Sequence, residues 1–315
     1  MSLNTVKAIF FDQLTKIYSE GFKKSKTAVD QLTLDISQGE IFGFLGPNGA
    51  GKSTAIKILL NILFPTFGKA YLLGQAVTEK TVRSRVGYLP ENPYFYDHLT
   101  PEELLWFGGK TSGLTPTQIR ERTDGLLNMV DLQHVRRRPL RTFSKGMVQR
   151  AGLALALVND PEVVVLDEPM SGLDPLGRKL ISDVIRGLKE QGKTVFFSSH
   201  ILHDVEDLCD RIGIIVDGRL RLTASLTELL STPPKGWRIT VRGDKGSLAA
   251  QLDRVPWRLS TNGAITEIQA QETDLYKLME QLKSFKCDVV AVVPLRETLE
   301  EIFLREIQKA SIKQL

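Results

Sequence analysis

One short stretch limits what this chain can fold into more than any other. Gly46-Pro47-Asn48-Gly49-Ala50-Gly51-Lys52-Ser53-Thr54 fits G-x-x-x-x-G-K-[ST], the pattern of a loop that cradles phosphate. Such a loop sits between a buried strand and the start of a helix, which commits the chain to an α/β core. The flanks agree. Residues 40–45 read as a short buried strand, and 52–63 as a helix with Ile56, Leu59, Leu60 and Leu63 on one face. Glycines let backbone N–H groups turn toward an anion with no Cβ in the way. The following helix aims its positive end at the same point. In such a loop Lys52 reaches the β- and γ-phosphates of a nucleotide and the Ser53 hydroxyl ligates Mg²⁺.

The rest of the chain supplies the other strands. Residues 6–11 and 28–36 alternate apolar and polar around a turn at 21–26, a hairpin signal that leads into the loop strand. Tyr18, close to this hairpin, fits either packing in a strand or stacking on a purine. A short strand is expected at 69–73 and a buried one at 86–90, ending at Glu91. From about 97 to 160 the pattern turns helical. Thr100-Pro101-Glu102-Glu103 and Thr115-Pro116-Thr117-Gln118 each place a cap, a proline at N1 and an acid or amide at N3. A third helix is expected after Phe143-Ser144-Lys145-Gly146. Val163-Val164-Val165-Leu166 then reads as a parallel strand covered on both faces. A helix opened by Asp174-Pro175, a strand at 194–198 ending near His200, a helix at 202–209 and strands at 212–216 and 219–224 follow. Strands alternating with helices predict a doubly wound, parallel sheet.

A break at Ser231-Thr232-Pro233-Pro234-Lys235-Gly236 reads as a linker. It divides the chain into residues 1–230, carrying the helical subdomain, and a smaller domain at 237–315. In the second part we expect strands at 237–241, 257–260, 264–270 and 289–293. Helices are expected at 247–254, 273–284 and 295–307. That order, βαββαβ with a final helix, predicts a ferredoxin-like α+β domain. No constellation in it carries chemistry, so an accessory or regulatory role is the expectation.

Composition narrows the classes. The net charge of +4 over 315 residues is mild and spread along the chain, and no basic arm of the nucleic-acid-binding kind is present. The run Arg136-Arg137-Arg138 reads as a solvated loop. Cys209 and Cys287 lie too far apart in sequence to suggest ligand spacing, which points to a reduced, cytosolic setting. No apolar run approaches the roughly 18–20 residues of a membrane span, so a role at a membrane would need a second chain to cross it.

Carboxylates at the end of a second buried strand complete what a phosphate loop needs. Asp167 is placed to hold Mg²⁺ opposite Ser53, and Glu168 to polarise the water that attacks the γ-phosphate.

With these residues assembled, about 8–228 resembles the nucleotide-binding subunit of ABC transporters. Ser144-Lys145-Gly146-Met147 followed by Gln149-Arg150 lies where that family has its signature. Ser171-Gly172-Leu173-Asp174 matches the D-loop, His200 after Ser198-Ser199 matches the switch histidine, and Tyr18 matches the aromatic that stacks on adenine. Two departures stand out. The commonest signature, Leu-Ser-Gly-Gly-Gln, is here Phe143-Ser144-Lys145-Gly146-Met147, and the glutamine expected after Tyr88-Leu89-Pro90 is Glu91. Both features, and the tail Leu299-Glu300-Glu301-Ile302-Phe303-Leu304, resemble the branch that drives ABC-2-type exporters.

The resemblance implies a P-loop NTPase core and ATP with Mg²⁺. It implies catalytic roles for Lys52, Glu168 and His200. Nucleotide contacts would come from Tyr18, from Gly46 through Thr54, and from Glu91, Ser144, Gly146 and Asp174. Ser53, Asp167 and Glu91 would attend the metal. It also implies a second copy, or a homologous subunit, whose Ser144 and Gly146 close on the first copy's nucleotide. A separate membrane permease would hold the subunit at the inner face of the cell membrane. A soluble ABC ATPase acting on nucleic acid or ribosomes is the rival class; such proteins usually fuse two of these domains or carry long insertions, and this chain has one domain and no heptad run.

Overall fold

The computed structural model describes residues 7–20, 24–231, 234–242, 258–262, 265–271, 274–285 and 287–312. The chain forms two compact units, Met1–Leu226 with Phe303–Leu315, and Thr227–Ile302.

The first unit contains two sheets. Strands β1 (Lys7–Glu20) and β2 (Lys24–Ser37) form the expected hairpin, far longer than its alternation indicated. The hairpin does not extend the sheet of the phosphate loop. It joins β4 (Phe67–Leu72) and β5 (Gln75–Ala76) in an antiparallel sheet of order β2-β1-β4-β5. The loop strand β3 (Ile41–Leu45) lies in a six-stranded sheet. Its other members are β6 (Val86–Leu89), β7 (Val163–Asp167), β8 (Thr194–Ser199), β9 (Arg211–Val216) and β10 (Arg219–Ser225), in the order β10-β9-β3-β8-β7-β6. All its pairings are parallel except the β9–β10 hairpin. Each residue of β3, β7 and β8 is buried, as continuous apolar runs between helix layers require.

Phe196 joins the two sheets. Its ring lies 6.3 Å from Phe11 on β1, and 6.1 and 5.6 Å from Phe42 and Phe44 on β3, centroid to centroid. Tilted rings at this spacing add to burial worth about 2–3 kcal/mol for each Phe. The loop strand is thereby locked to a rigid core.

Helix α1 (Lys52–Leu59) leaves the phosphate loop and is shorter than expected. Leu60 ends it and Asn61 turns left-handed at φ 56°. After the four-residue helix α2 (Lys80–Arg83) comes the helical subdomain, with α3 (Pro101–Thr111), α4 (Pro116–Met129) and α5 (Lys145–Ala156). Both expected capping boxes form, Thr100 with Glu103 and Thr115 with Gln118. Helices α6 (Pro175–Glu190) and α7 (Leu202–Leu208) follow the parallel strands β7 and β8, and α8 (Leu226–Leu230) follows the antiparallel β10.

The second unit holds β11 (Gly236–Arg242), β12 (Arg258–Asn262), β13 (Ile265–Ala270), β14 (Asp288–Leu295) and helix α9 (Leu275–Ser284). The order β12-β13-β11-β14, antiparallel throughout, is that of a ferredoxin-like sheet. Ile239, Val241, Ile268, Leu278 and Leu282 form its core. The helix expected at 247–254 lies outside the described residues. The last helix, α10 (Leu299–Ile312), begins four residues later than its apolar pattern suggested. The reason is local: Thr298 and Glu301 form a third capping box, with N–H to side-chain bonds of 3.1 and 3.2 Å.

Candidate functional site

The C-terminal ends of β3, β7 and β8 converge on the loop at 46–54. Gly51 sits at φ 106°, and a Cβ there would strike the Ala28 carbonyl oxygen, so glycine is required. This geometry turns the start of α1 into a cavity of about 720 Å³. Tyr18, Asn48 through Thr54, Glu91, Glu168 and His200 all line it. Lys26 and Ala28, which motif reading did not single out, also line it, as does Ser171 of the D-loop match. Tyr18 is partly exposed on β1, with the Lys16 ammonium 5.2 Å from its ring centroid.

Lys52 is buried, and its Nζ donates to the carbonyl oxygens of Gly46 at 2.7 Å and Pro47 at 3.3 Å. It also lies 3.2 Å from Glu168 Oε1. That oxygen accepts no hydrogen bond among the described residues. A buried carboxylate oxygen left in this state, beside a cation that already donates to two carbonyls, suits a site that takes another polar group. The other carboxylate oxygen, Oε2, lies 2.8 Å from His200 Nδ1.

Ser198 organises the floor. Its hydroxyl donates to Asp167 Oδ1 at 2.6 Å and accepts the Glu168 backbone N–H at 2.9 Å. Ser53 Oγ donates to the same Asp167 oxygen at 3.2 Å. Ser198 is fully buried, and sequence reading missed it. Its signal was a hydroxyl at the end of a buried strand, two residues before His200. Burial, then the Asp167 charge, pushes the nearby Tyr88 phenol up to about 12. Glu168 itself adopts φ 52°, left-handed backbone that is uncommon for a residue with a side chain.

Ser53 and Asp167 offer hard oxygen donors on adjacent elements, the donor type Mg²⁺ prefers, while most of its shell comes from phosphate and water. Among the described residues no cluster of three or more His, Cys, Asp or Glu forms an all-protein metal cage. The donor set therefore fits Mg²⁺ brought with a nucleotide. Glu91, on the cavity wall, is exposed.

Ser144 and Gly146, expected at the nucleotide of a second copy, and Asp174 lie apart from this cavity. Ser144, Gly146 and Asp174 line a second cavity of about 490 Å³, together with Lys145, Arg150 and Gly172. Ser144 caps α5, accepting the Met147 N–H at 3.3 Å, and Asp174 caps α6, accepting the Gly177 N–H at 2.9 Å. Within one chain these residues do not reach the phosphate loop. They present a helix start that carries partial positive charge.

A family model described as ABC transporter matches residues 29–171. An uncharacterized ABC transporter ATP-binding protein of Synechocystis sp. is 40% identical, over 95% of this chain and 84% of the relative. The Nod factor export ATP-binding protein I of Ralstonia nicotianae is 34% identical, over 91% and 92%. The bacitracin transport ATP-binding protein BcrA of Bacillus licheniformis is 42% identical, over 66% of each. Among solved structures, the dimeric post-hydrolysis state of the ATP-binding cassette MJ0796 bound to ADP and Pi superimposes with a TM-score of 0.65. It is 25% identical and matches 69% of this chain and 98% of that one.

Proposed function

The chain belongs to the ABC transporter ATP-binding family, and from that premise we propose that it powers export through a permease on a separate chain. It is an ATP-hydrolysing subunit that uses ATP with Mg²⁺. The observation that carries our reading of the site is the separation of the two cavities. Asn48 through Thr54, Glu168 and His200 share one, with Asp167 hydrogen-bonded to Ser53 at its floor, while Ser144 and Gly146 line another. A second copy turned to face the first would bring its Ser144 and Gly146 over the first copy's γ-phosphate and complete two sites at once.

In this reading Tyr18 stacks on the adenine, and the backbone N–H groups of 46–54 and Lys52 hold the phosphates. Ser53 and Asp167 would hold Mg²⁺, which would supply charge neutralisation to the phosphates. Glu168 orients the attacking water and accepts its proton. His200, already 2.8 Å from the Glu168 carboxylate, fixes that carboxylate's direction and contacts the γ-phosphate. The start of α5 adds partial positive charge from the opposite side. Hydrolysis removes the shared phosphate contacts and the pair reopens, a rigid-body switch.

Export rests on the printed roles of relatives, which include bacitracin transport and Nod factor export. A separate permease is favoured because, among the described residues, no helix is long and apolar enough to cross a membrane. The exposed aromatics Tyr94, Tyr96, Trp106 and Phe107 follow Glu91 closely in sequence and offer apolar surface for contact with it. Such contact would place the subunit at the inner face of the cell membrane. The ferredoxin-like unit serves an accessory, regulatory role in this reading. Purification from mild detergent tests the assignment: a polytopic membrane protein should accompany the chain, whereas salt-sensitive retention of ribosomes or DNA would contradict it.

A further inference from the structure

Gln149 is 1% exposed on α5, little more than one turn from Ser144 and Gly146. Its Nε2 donates to the Pro169 carbonyl oxygen at 3.3 Å. Pro169 follows Glu168 directly, and Glu168 holds the left-handed backbone described above. Three hydrogen bonds fix this turn from three directions. The Glu168 N–H donates to Ser198 on β8, the Ser171 N–H donates to the Glu168 carbonyl oxygen at 3.1 Å, and Gln149 reaches in from α5.

For stability the amide is an even exchange, one buried polar atom satisfied and one not. Gln149 Oε1 is buried and accepts no hydrogen bond among the described residues. A methionine has similar length and would fill the same space; it would remove the unmet Oε1 but leave the Pro169 carbonyl oxygen without this donor. The feature that distinguishes glutamine here is its hold on the Pro169 carbonyl.

We propose that Gln149 is a positioning residue that ties the signature helix to the Glu168 carboxylate, and so couples the two nucleotide sites of a dimer within one chain. The inference rests on reading Glu168 as the group that orients the attacking water. The start of α5 serves the nucleotide of the partner copy, whereas Glu168 serves the nucleotide on its own loop. When α5 shifts to close on the partner's γ-phosphate, the amide draws on the Pro169 carbonyl. The strained peptide before it then turns the Glu168 side chain. A backbone already away from its preferred region responds to a small displacement. Hydrolysis at one site is thereby conditioned on closure at the other.

The test compares full-length Gln149→Met with Glu168→Gln and the unsubstituted protein. The readouts are melting temperature, binding of a fluorescent ATP analogue, and ATPase rate against ATP concentration. Gln149→Met should melt within a few degrees of the parent and bind the analogue within about twofold of its affinity. Its kcat should fall about tenfold and its Hill coefficient should drop from above 1 to 1. Parental kcat and Hill coefficient in Gln149→Met overturn the proposal. So does a loss of nucleotide affinity that accounts for the loss of rate, or a Hill coefficient of 1 in the parent. If the methionine variant does not fold, Gln149→Leu carries the same expectations, and failure of both to fold assigns the amide to the fold and overturns the proposal. Full turnover in Glu168→Gln defeats the reading of Glu168 itself, independently of what Gln149→Met shows.

Discussion

Glu168 Oε1 lies 3.2 Å from Lys52 Nζ, and both side chains are buried, at 8% and 6% exposure. The residue proposed to orient water and the residue proposed to grip phosphate are thus paired with each other. In that reading, nucleotide binding must draw the ammonium away from the carboxylate before either acts.

Glu168→Gln should therefore keep or raise ATP affinity, because the ammonium no longer has a carboxylate to leave. Turnover should fall about 10²–10⁴-fold, the range expected when a general base is lost. Equilibrium nucleotide binding and steady-state phosphate release on the same preparation separate the two effects. Unchanged turnover would remove Glu168 from its role.

Lys52→Ala should lose nucleotide binding and also weaken the nucleotide-free fold, since it leaves a buried carboxylate without its cation. Removing one partner of a buried pair costs about 3–5 kcal/mol in a closed interior, and less here because the pair borders a cavity. Adding Glu168→Gln to Lys52→Ala should recover much of that loss in chemical denaturation, without recovering binding. Additive losses in the double variant would show that the pair does not couple.

Ser198→Ala removes one hydroxyl that serves both Asp167 and the Glu168 backbone. Leaving a buried N–H and a buried carboxylate oxygen each short of a partner should destabilise the protein by about 2–3 kcal/mol. ATPase activity should fall by more than the binding affinity does. Denaturant titration and ATPase kinetics check this together; a variant equal to the parent in both would make the floor hydrogen bonds dispensable.

Tyr88 gives a pH signature. Its phenol ionises at about 12 in the folded protein, against an ordinary value of 10.0. A raised folded value means stability that is fully present below pH 10 and lost as pH rises toward 12. Tyr88→Phe should thus lessen the slope of alkaline destabilisation in that window and remove one late-titrating component from the phenolate absorbance. An unchanged titration curve would place Tyr88 in an ordinary environment.

Much of the site was legible because its residues come in contiguous motifs. The loop 46–54 and the pair Asp167-Glu168 announce both chemistry and strand-end placement. Ser198 and Gln149 were not legible as parts of the catalytic floor. Each acts on the turn after Asp167 from another element, a relation that exists only once β8 lies beside β7 and α5 packs against that turn. The fold shows the same limit. Alternation at 6–11 and 28–36 identifies strands, yet it carries no information on which sheet they join, and the hairpin pairs with β4 rather than the loop strand. For α10, Leu299 and Ile302 gave the face, while the start was fixed by the cap pair Thr298 and Glu301, which the apolar pattern does not register.

If two copies share each nucleotide, the mass in solution must follow nucleotide occupancy. The solution mass of Glu168→Gln with saturating ATP and Mg²⁺, measured alongside Glu168→Gln/Gly146→Asp, decides this. Twice the chain mass is expected for the first and a single-chain mass for the second, with nucleotide bound in both. A single-chain mass for Glu168→Gln at full ATP occupancy, or a dimer that survives Gly146→Asp, would contradict it.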